Sequence, residues 1–443
     1  MLKRRAYNYL LEWKNKFNRK PILLRGARQV GKTSLVEQFG QQEFSNFISF
    51  NLDHAQDFRD LSQVYTIDDF EQLVAKRKQI LNDQTLIFFD EIQNLPHLVK
   101  LLRFFYENNP KWAIIGSGSL LEVVLQTAKI SMPVGRVEFL YLYPLDFFEF
   151  LIALGQERLL ADIKNIKVGE QLPKITHQFA LEFFLQYSWM GGMPEVVNTF
   201  IQTQDIQLLT AIYDGLLLTY QEDVYKYEST ANSKYLQFVI QTAPRHAGQL
   251  ITYEGFGRSK YRSREMSEAF NTLEKVMLLN QLQSTQSRSI PLLPKPLRSK
   301  KLLFLDAGLV NYQHQVGLAE FQKQQLEDVY KGRIAEQVVG QNLLAQTTFS
   351  KQDLFYWSRP AKEGSAEVDF CFNYQGKIVG VEVKSGESSR LRSLFSFAQL
   401  VENSILVRVY SGPLKQESIS IAGESYPLLS VPFYLVPRLK ELI

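Results

Sequence analysis

Residues 26–33 read Gly-Ala-Arg-Gln-Val-Gly-Lys-Thr and directly follow the apolar run Pro21–Leu24. This is the spacing G-x-x-x-x-G-K-[ST] of a phosphate-binding loop that lies between a strand and a helix. A glycine-rich turn lets backbone N–H groups point at phosphate oxygens, and the dipole of the following helix favours the same negative charge. The motif therefore predicts a phosphorylated ligand before any other feature is considered.

The chemistry of such a loop assigns roles to its last residues. Lys32 is expected to reach the β- and γ-phosphates of ATP, and the Thr33 hydroxyl is expected to ligate Mg²⁺. An ordinary strand–turn–helix, in which the glycines only make the turn, is the alternative. The residues predicted to surround the nucleotide and its Mg²⁺ are Gly26, Ala27, Arg28, Gln29, Val30, Gly31, Lys32, Thr33, Ser34 and Asp90.

Strand-like and helix-like segments alternate in the first part of the chain. Apolar runs predict strands at Pro21–Leu24, Phe47–Leu52, Thr85–Phe89 and Trp112–Gly116. Helical patterns follow these runs, at Thr33–Phe39, Asp68–Leu81, Leu98–Glu107 and Leu120–Ala128. Such alternation is typical of a parallel sheet with helices on both faces.

Two acids follow one of these strands. Asp90 and Glu91 stand at the carboxyl end of the segment 85–89, which is the edge at which ligands bind in parallel sheets. Asp90 is therefore predicted to hold Mg²⁺, through water, and Glu91 to polarise the attacking water in hydrolysis. A solvated acidic turn is the alternative interpretation.

Further residues are candidates for contact with the γ-phosphate. Ser117, and as second choice Ser119, follow the strand Trp112–Gly116, where a small polar side chain can reach between the acids and the phosphate. Ser119 fits a helix N-cap equally well. Arg136 is predicted to stabilise transition-state charge, either within the chain or across a subunit interface, and a surface ion pair is the alternative.

A chain of 443 residues is too long for one hydrophobic core. Changes in pattern predict a P-loop ATPase core at 1–144, a helical lid at 145–228, a winged helix-turn-helix at 229–312 and a further α/β domain at 313–443. The lid contains aromatic-rich helical patterns, which are interrupted at Gly191-Gly192-Met193-Pro194.

Cysteine content and hydropathy exclude several classes of protein. The single cysteine, Cys371, excludes internal disulfides and cysteine zinc sites. No run of about eighteen apolar residues occurs, so no membrane partner is expected and a cytoplasmic protein fits best. The formal net charge of +4 is too small to indicate a partner by itself.

Several motifs together resemble a bacterial and archaeal group of AAA-type ATPases in which a C-terminal domain of unknown function follows the ATPase domain. Besides the phosphate loop, they are Asp90-Glu91-Ile92-Gln93, Gly116-Ser117-Gly118-Ser119, Gly135-Arg136, Tyr143–Phe150 and Gly191-Gly192-Met193-Pro194-Glu195. The resemblance covers nearly the whole chain. It implies nucleotide binding in an AAA or RecA-like core and a four-part layout that includes a winged helix, without assigning a biological task.

A basic segment lies in the predicted winged helix-turn-helix. Cations are interleaved with aromatic residues through Phe256–Arg264, the helix Arg264–Lys275 follows, and a second basic run lies in the hairpin Ser289–Lys301. Since a winged helix places one helix in the major groove and its wing on phosphates, contact with DNA is predicted, with a protein contact as the alternative. The candidate residues are Arg258, Lys260, Arg262, Arg264, Arg298, Lys300 and Lys301.

The last domain contains charged residues in the order of a nuclease core. A turn at Gln375-Gly376 predicts a hairpin, and the alternation of side chains along it places Asp369 and Cys371 on one face and can bring Asp369, Glu382 and Lys384 together. With Glu336 on a preceding helix, the set resembles the restriction-endonuclease-like fold. That resemblance implies that Asp369 and Glu382 bind Mg²⁺ and that Lys384 steadies the attacking water. A degenerate fold, with these acids in salt bridges, is the alternative.

Two functions follow from these patterns. The first is an ATP-hydrolysing AAA-type protein whose C-terminal region acts on nucleic acid. The second is a nucleotide-switched regulatory or signalling ATPase whose C-terminal domain only binds protein or DNA. A metabolic P-loop kinase fits poorly, because no phosphoacceptor pocket is visible. Oligomerisation is compatible with the sequence and is not derivable from it.

Overall fold

A computed structural model describes residues 2–127, 133, 135–227, 230–316, 332–346, 353–360, 365–384, 391–421 and 423–443. Within these ranges the chain forms two sheets, one before residue 142 and one after residue 249, with a layer of helices between them in sequence. None of the described helices is both long enough and apolar enough to cross a membrane.

The first sheet has five parallel strands in the order β2-β3-β4-β1-β5. Every residue of β3 and β4 is buried, because helices cover both faces of the sheet. The strands are β1 Ile22–Arg25, β2 Asn46–Asn51, β3 Thr85–Asp90, β4 Ala113–Gly118 and β5 Glu138–Tyr141. The predicted parallel α/β core is confirmed. Sequence reasoning missed β5, which has only four residues.

Six helices surround this sheet among the described residues. They are α1 Arg5–Lys14, α2 Lys32–Glu43, α3 Ala55–Leu61, α4 Ile67–Lys76, α5 His97–Asn108 and α6 Leu121–Thr127. Because β4 lies between β1 and β3, the carboxyl ends of these three strands stand side by side. The phosphate loop, the acids Asp90 and Glu91 at the end of β3 and Ser117 in β4 therefore meet at one edge of the sheet.

A layer of helices follows the first sheet. Its members are α7 Phe147–Ala153, α8 Glu157–Asn165, α9 Lys174–Met190, α10 Pro194–Thr203 and α11 Ile206–Tyr227. Asp146 caps α7, accepting a hydrogen bond from the Glu149 N–H at 2.8 Å, and Glu149 accepts one in return. Helix α9 ends at Gly191, which has a φ of 73°, and the chain turns there into α10.

Gly192→Ala is expected to lower the free energy of unfolding by about 2–3 kcal/mol, since its methyl group would meet backbone that cannot yield. A Cβ on Gly192 would lie 2.1 Å from the Leu145 carbonyl oxygen. Gly215, inside α11, is the control, because no atom of a described residue lies within 4 Å of its hypothetical Cβ. Gly215→Ala is expected to add about 0.5–1 kcal/mol of helix stability. Urea denaturation compares the two variants, and similar effects would contradict the tight packing at Gly192.

The second sheet contains nine described strands in the order β13-β14-β12-β11-β10-β9-β7-β8-β6. They are β6 Leu250–Ile251, β7 Leu279–Thr285, β8 Lys300–Phe304, β9 Phe355–Ser358, β10 Glu367–Tyr374, β11 Lys377–Val383, β12 Ser404–Tyr410, β13 Lys415–Ile421 and β14 Glu424–Pro432. The associated helices are α12 Thr230–Thr242, α13 Ser263–Lys275, α14 Ala307–Gln313, α15 Arg333–Ala345, α16 Arg392–Leu400 and α17 Leu439–Leu442.

This sheet runs across the boundary that sequence reasoning placed at residue 312. Strand β7 pairs in parallel with β9, with Gln283 opposite Phe355 and Thr285 opposite Trp357. The predicted winged-helix segment therefore contributes strands to the same sheet as the C-terminal segment, so the two regions share backbone hydrogen bonds.

Helix α15 connects the second sheet to the helical layer through hydrogen bonds of its buried amide side chains. Gln337 accepts from the Phe304 N–H at 2.9 Å, and Gln341 accepts from the Ala307 N–H at 2.8 Å. Asn342 accepts from the Phe147 N–H, at the start of α7, at 3.0 Å. Because a buried amide that loses its partner costs free energy, these contacts hold the layers in one arrangement.

Candidate functional site

The phosphate loop connects the end of β1 at Arg25 to the start of α2 at Lys32. Gly31 has a φ of 91°, in the left-handed region that favours glycine. Gly26 is needed for a different reason, because a Cβ there would lie 2.4 Å from the Leu142 carbonyl oxygen. The tight turn leaves the N-terminus of α2 open, as anion binding at a helix start requires.

Lys32 is buried beside this loop. Its Nζ donates hydrogen bonds to the carbonyl oxygens of Gly26, at 3.0 Å, and of Ala27, at 2.8 Å. Burial lowers the pKa of Lys32, and the negative charges of Glu91 and Asp90 oppose that change. A buried ammonium held by two carbonyl groups supplies a fixed positive charge next to the loop.

Asp90 is the centre of a small hydrogen-bond network. Thr33 Oγ1 donates to Asp90 Oδ2 at 2.7 Å, and Ser117 Oγ donates to Asp90 Oδ1. The Glu91 N–H also donates to Asp90 Oδ1, at 3.1 Å. The structure thus brings together the hydroxyl, the carboxylate and the serine that the sequence singled out from three separate segments. Their roles toward Mg²⁺ and phosphate stay predictions.

Glu91 adopts an uncommon backbone conformation, with a φ of 52°. Gln93 Nε2 donates to Glu91 Oε2, so one oxygen of this carboxylate is held in place. Burial raises the pKa of Glu91, while the Lys32 ammonium opposes the shift. Sequence reasoning quoted Gln93 within a motif and gave it no role. Its position two residues after the acid is the signal that could have suggested one.

A cavity of about 490 Å³ opens beside the loop, within the size range of small-molecule sites. Lys32, Thr33 and Glu91 line it, and its opposite wall comes from outside the sheet, from Arg4, Pro194, Glu195 and Asn198. The Gly-Gly-Met-Pro-Glu segment therefore lies at the loop. A larger cavity, of about 880 Å³, lies among α8, α9 and α10 and contains no residue of the phosphate loop.

Arg4 is a site residue that sequence reasoning missed. Its guanidinium donates to the Val30 carbonyl at 2.8 Å and to the Tyr143 carbonyl at 2.6 Å, and it pairs with Glu149 at 3.1 Å. The side chain is buried and holds the phosphate loop against α7. The sequence offers little signal for this, because a basic N-terminus is usually solvated.

Arg136 lies away from the loop within this chain. It stands two residues before β5, and the register of β5 with β1 pairs Glu138 with Ile22, at the amino edge of the sheet. The phosphate loop leaves the opposite, carboxyl edge. Arg136 Nε instead donates to Glu107 Oε1 at 2.8 Å in an exposed ion pair. The structure does not bring Arg136 to the loop in the same chain, and its action across a subunit interface stays a prediction.

The C-terminal acids surround a buried lysine. Lys301 Nζ lies 2.6 Å from Glu336 Oε2, 3.0 Å from Glu367 Oε1 and 3.2 Å from Asp369 Oδ1. Its side chain is 2% exposed, so the prediction that Lys301 contacts nucleic acid is wrong. We call these four residues the Lys301 cluster. The ammonium supplies the positive charge that a bound cation would otherwise supply to the carboxylates.

Glu382 and Lys384 form a second pair beside this cluster. Lys384 Nζ lies 2.8 Å from Glu382 Oε1, and Glu382 Oε2 is buried with no hydrogen-bond partner in the described part of the chain. Burial, with repulsion from Asp369, raises the pKa of Glu382 to about 7, and the same causes raise the pKa of Glu336 to about 8.

The predicted Mg²⁺ site of Asp369 and Glu382 is not supported by this arrangement. No group of three or more His, Cys, Asp or Glu side chains in the described ranges is placed to hold a metal ion. Asp369 and Glu382 pair with Lys301 and Lys384 instead.

The shared face predicted for Asp369 and Cys371 is also wrong. The register of β10 with β9 shifts between Val368 and Cys371, and both of these residues pack in one hydrophobic cluster with Phe397. Asp369 instead contacts Lys301 and accepts from the Val383 N–H at 2.8 Å. An irregularity in the strand breaks the two-residue alternation on which the prediction depended.

The other basic candidates lie at the surface. Arg258, Lys260, Arg262 and Arg298 are exposed. Arg264 is exposed too and pairs with Glu268 at 3.2 Å. Lys300 is half-buried, with its Nζ 5.4 Å from the centre of the Tyr253 ring. Six of the seven cations predicted to contact DNA therefore reach solvent.

Comparison with known families matches three segments of the chain. Residues 18–151 match a family described as AAA domain. Residues 181–320 and 331–425 match two families described as domains of unknown function, DUF8612 and DUF4143. A search of curated proteins found no match.

Several solved structures show weak similarity to this chain. The RuvB Holliday junction branch migration motor of Thermotoga maritima is 14% identical, over 63% of this chain and 90% of that chain, with a TM-score of 0.31. The Aeropyrum pernix ORC2 protein, in ADPNP-ADP complexes, is 11% identical over 72% and 92%, with a TM-score of 0.26. C. elegans PCH-2 is 12% identical over 61% and 66%, with a TM-score of 0.21. These TM-scores are too low to support an inference about function.

The family match and the five-stranded parallel sheet agree on the N-terminal region. The match begins just before β1 and ends within α7, so it includes the phosphate loop, Asp90, Glu91 and Ser117. Residues 18–151 are therefore an AAA-type P-loop domain.

Proposed function

We propose that this protein binds ATP with Mg²⁺ at the phosphate loop, hydrolyses it, and uses the nucleotide state to control a C-terminal region that contacts nucleic acid. The observation that carries the proposal is the Thr33–Asp90–Ser117 hydrogen-bond network, next to the buried Lys32 and to Glu91. These groups lie at one edge of the sheet, and the triphosphate would bind in the cavity between the loop and Pro194 and Glu195.

The donor set at this edge fits a hard cation. Thr33 offers a hydroxyl oxygen and Asp90 a carboxylate, and Mg²⁺ prefers oxygen ligands. Mg²⁺ held there would neutralise charge on the β- and γ-phosphates. The N–H groups at the start of α2 would bind the same phosphates, and Lys32 would join them once its Nζ leaves the carbonyl oxygens of Gly26 and Ala27.

Glu91 is the proposed general base. Its carboxylate lines the cavity and is fixed through one oxygen by Gln93, which leaves the other oxygen to orient a water molecule. A raised pKa brings the carboxyl closer to the operating pH and makes it a stronger base than an exposed glutamate. Ser117, which donates to Asp90, is the proposed link between the metal ligand and the γ-phosphate.

The proposed contact with nucleic acid rests on the exposed cations before α13. The order α12, β6, α13, β7, β8 and the antiparallel pairing of β7 with β8 support a winged-helix interpretation. Helix α13 also carries Glu265 and Glu268, which disfavour its entry into a groove lined by phosphates. Binding is therefore expected through Arg258, Lys260 and Arg262 to the phosphate backbone, with a steep dependence on salt and little dependence on sequence.

A second candidate function is a nucleotide-switched regulator without nuclease activity. The Lys301 cluster favours it over cleavage, because each acid of the nuclease-like set already has a lysine partner. The experiment that separates nuclease activity from a purely regulatory role is incubation of the full chain with single-stranded, duplex and branched DNA in Mg²⁺ and then in Mn²⁺. Cleavage would favour the nuclease; binding that is lost at moderate salt without cleavage would favour the regulator.

Lys32→Ala is expected to lower ATP turnover by at least about 100-fold, because it removes a buried cation from the phosphate site. Phosphate release by the full chain with Mg²⁺ measures the effect. Lys111→Ala, which removes a lysine that is 75% exposed and paired with Asp83, is the control and is expected to keep full activity. If the wild-type chain shows no Mg²⁺-dependent turnover, alone or with DNA, the hydrolysis proposal is wrong.

A further inference from the structure

The third residue of the phosphate loop makes an ion pair that the proposed chemistry does not use. Arg28 lines the nucleotide cavity, and its guanidinium pairs with the Asp223 carboxylate of α11, 195 positions further along the chain. Tyr220, one turn earlier in α11, donates from its hydroxyl to the Arg28 carbonyl at 3.1 Å. Both the side chain and the backbone of Arg28 are thus tied to one end of α11.

The environments of the two charges differ. The Arg28 side chain is 33% exposed and borders the cavity, whereas the Asp223 side chain is 8% exposed. The guanidinium can therefore rotate toward the cavity, while Asp223 stays with α11. Glu91 lines the same cavity and adds negative charge near Arg28.

The same contact adjoins the first elements of the C-terminal region. A small cavity, of about 20 Å³, is bordered by Arg28 and Asp223 on one side and by Val276 and Leu278 on the other. Lys275 Nζ, at the end of α13, donates to Gln126 Oε1 of α6 at 2.7 Å. The Arg28–Asp223 pair is therefore located where the AAA-type domain, α11 and the segment after α13 meet.

Phosphate competes with a carboxylate for an arginine. A triphosphate carries several negative charges, and the planar guanidinium pairs with phosphate oxygens through two parallel hydrogen bonds. Asp223 offers Arg28 one negative charge. A nucleotide bound in the cavity that Arg28 lines would offer it a more strongly charged partner. Arg28 can pair either with a phosphate of the nucleotide or with Asp223 of α11. Nucleotide binding in the cavity is thereby coupled to the position of α11.

We propose that Arg28 exchanges Asp223 for a phosphate of the bound nucleotide, so that nucleotide binding releases the C-terminal end of α11. The inference rests on the proposed nucleotide binding and names the contact through which it acts on the rest of the chain. Asp223 is then an intramolecular competitor of the nucleotide. Release of α11 loosens the junction with Val276 and Leu278 and frees the segment that carries the basic residues.

Binding of ADP and of AMP-PNP with Mg²⁺, measured by isothermal titration calorimetry on the full chain, tests the exchange. Asp223→Asn keeps the shape of the side chain and removes its charge, and it is expected to tighten nucleotide binding about fivefold or more. Arg28→Gln is expected to weaken binding. In the double variant, Asp223→Asn is expected to have no further effect, because the competition no longer exists. Glu222→Gln, at the exposed neighbouring position of α11, is the charge-matched control and is expected to change nothing.

Hydrogen–deuterium exchange adds a readout that needs no variant of Asp223. Peptides from 206–227 of the wild-type chain are expected to exchange faster with AMP-PNP than without it, and the difference is expected to vanish in Arg28→Gln. Unchanged or weaker binding in Asp223→Asn, or slower exchange of α11 with nucleotide, would overturn the exchange. A wild-type chain that binds no nucleotide would instead refute the proposed function, so the two failures are distinguishable.

Discussion

Glu91→Gln is expected to lower kcat for ATP hydrolysis by about 10²–10⁴-fold and to change the affinity for ATP with Mg²⁺ only slightly. Glutamine keeps the size of the side chain and can still hydrogen-bond with Gln93, but it cannot accept a proton from water. Lys32, Thr33 and Asp90, which the binding proposal uses, keep their own contacts in this variant. Loss of turnover with retained binding is the signature of a removed base.

Phosphate release and calorimetric binding of ATP with Mg²⁺ measure the two effects on the same preparation. Glu195→Gln is the matched control, since Glu195 lines the same cavity from the start of α10 and no chemistry is assigned to it. Glu195→Gln is expected to lower turnover by less than about tenfold, because it changes only the electrostatic field near the cavity. An equal loss in both variants, or weakened binding in Glu91→Gln alone, would contradict the assignment of Glu91 as the base.

The grouping of Thr33, Asp90 and Ser117 could be predicted in large part from the sequence, because these residues belong to local motifs at the carboxyl ends of parallel strands. Asp90 is the last residue of β3 and Ser117 lies in β4, and parallel strands bring their carboxyl ends to one edge of a sheet. The chemistry of the phosphate loop and the strand order then place Thr33 beside Asp90 without knowledge of any other contact. Local sequence patterns were therefore sufficient to predict that these residues lie close together.

The contacts that sequence reasoning missed join segments that are distant in the chain. Arg28 and Asp223 are 195 positions apart, and Arg4 reaches the Tyr143 carbonyl across 139 positions. Nothing near Arg4 or Asp223 in the sequence distinguishes them from solvated charges. Such pairs depend on how whole helices pack, and packing is a property of the tertiary structure.

The error over Lys301 has the same origin. Lys300 and Lys301 are neighbours in a basic run, and no local sequence pattern distinguishes one from the other. In a strand, however, adjacent side chains point to opposite faces, and the pairing of β8 with β7 turns Lys301 toward α15 and β10. The sequence also suggested a domain boundary at residue 312, but β7 pairs with β9, so one sheet continues across that position.

Lys301→Met is expected to lower the free energy of unfolding by about 2–3 kcal/mol near pH 8, because it leaves three partly buried carboxylates without a counter-charge. Glu336, Glu367 and Asp369 all lie within 3.2 Å of the ammonium that would be lost. Methionine keeps most of the side-chain volume, so a cavity contributes little. Lys300→Met, at the half-buried neighbouring position, is the control and is expected to cost less than about 1 kcal/mol.

The loss of stability in Lys301→Met is also expected to depend on pH. The pKa of Glu336 in the folded protein is raised to about 8, above its ordinary value of 4.5, so between these values the folded state binds more protons than the unfolded state. Stability from this group is therefore complete below about pH 4.5 and is lost as the pH rises through 8. The cost of Lys301→Met is expected to shrink from pH 8 to pH 5, because Glu336 needs no counter-charge once it is protonated. Urea denaturation across this range measures it, and a constant or negligible cost would contradict the role of Lys301.

Added Mn²⁺ then separates a structural cluster from a masked metal site. If the carboxylates can hold a cation once the ammonium is gone, Mn²⁺ will stabilise Lys301→Met and leave Lys300→Met unchanged. If the cluster is only structural, Mn²⁺ will stabilise neither variant. The first result would mean that Lys301 takes the place of the metal ion in a nuclease-like site. The second would mean that the Lys301 cluster has a structural role only and connects β8 to α15 and β10.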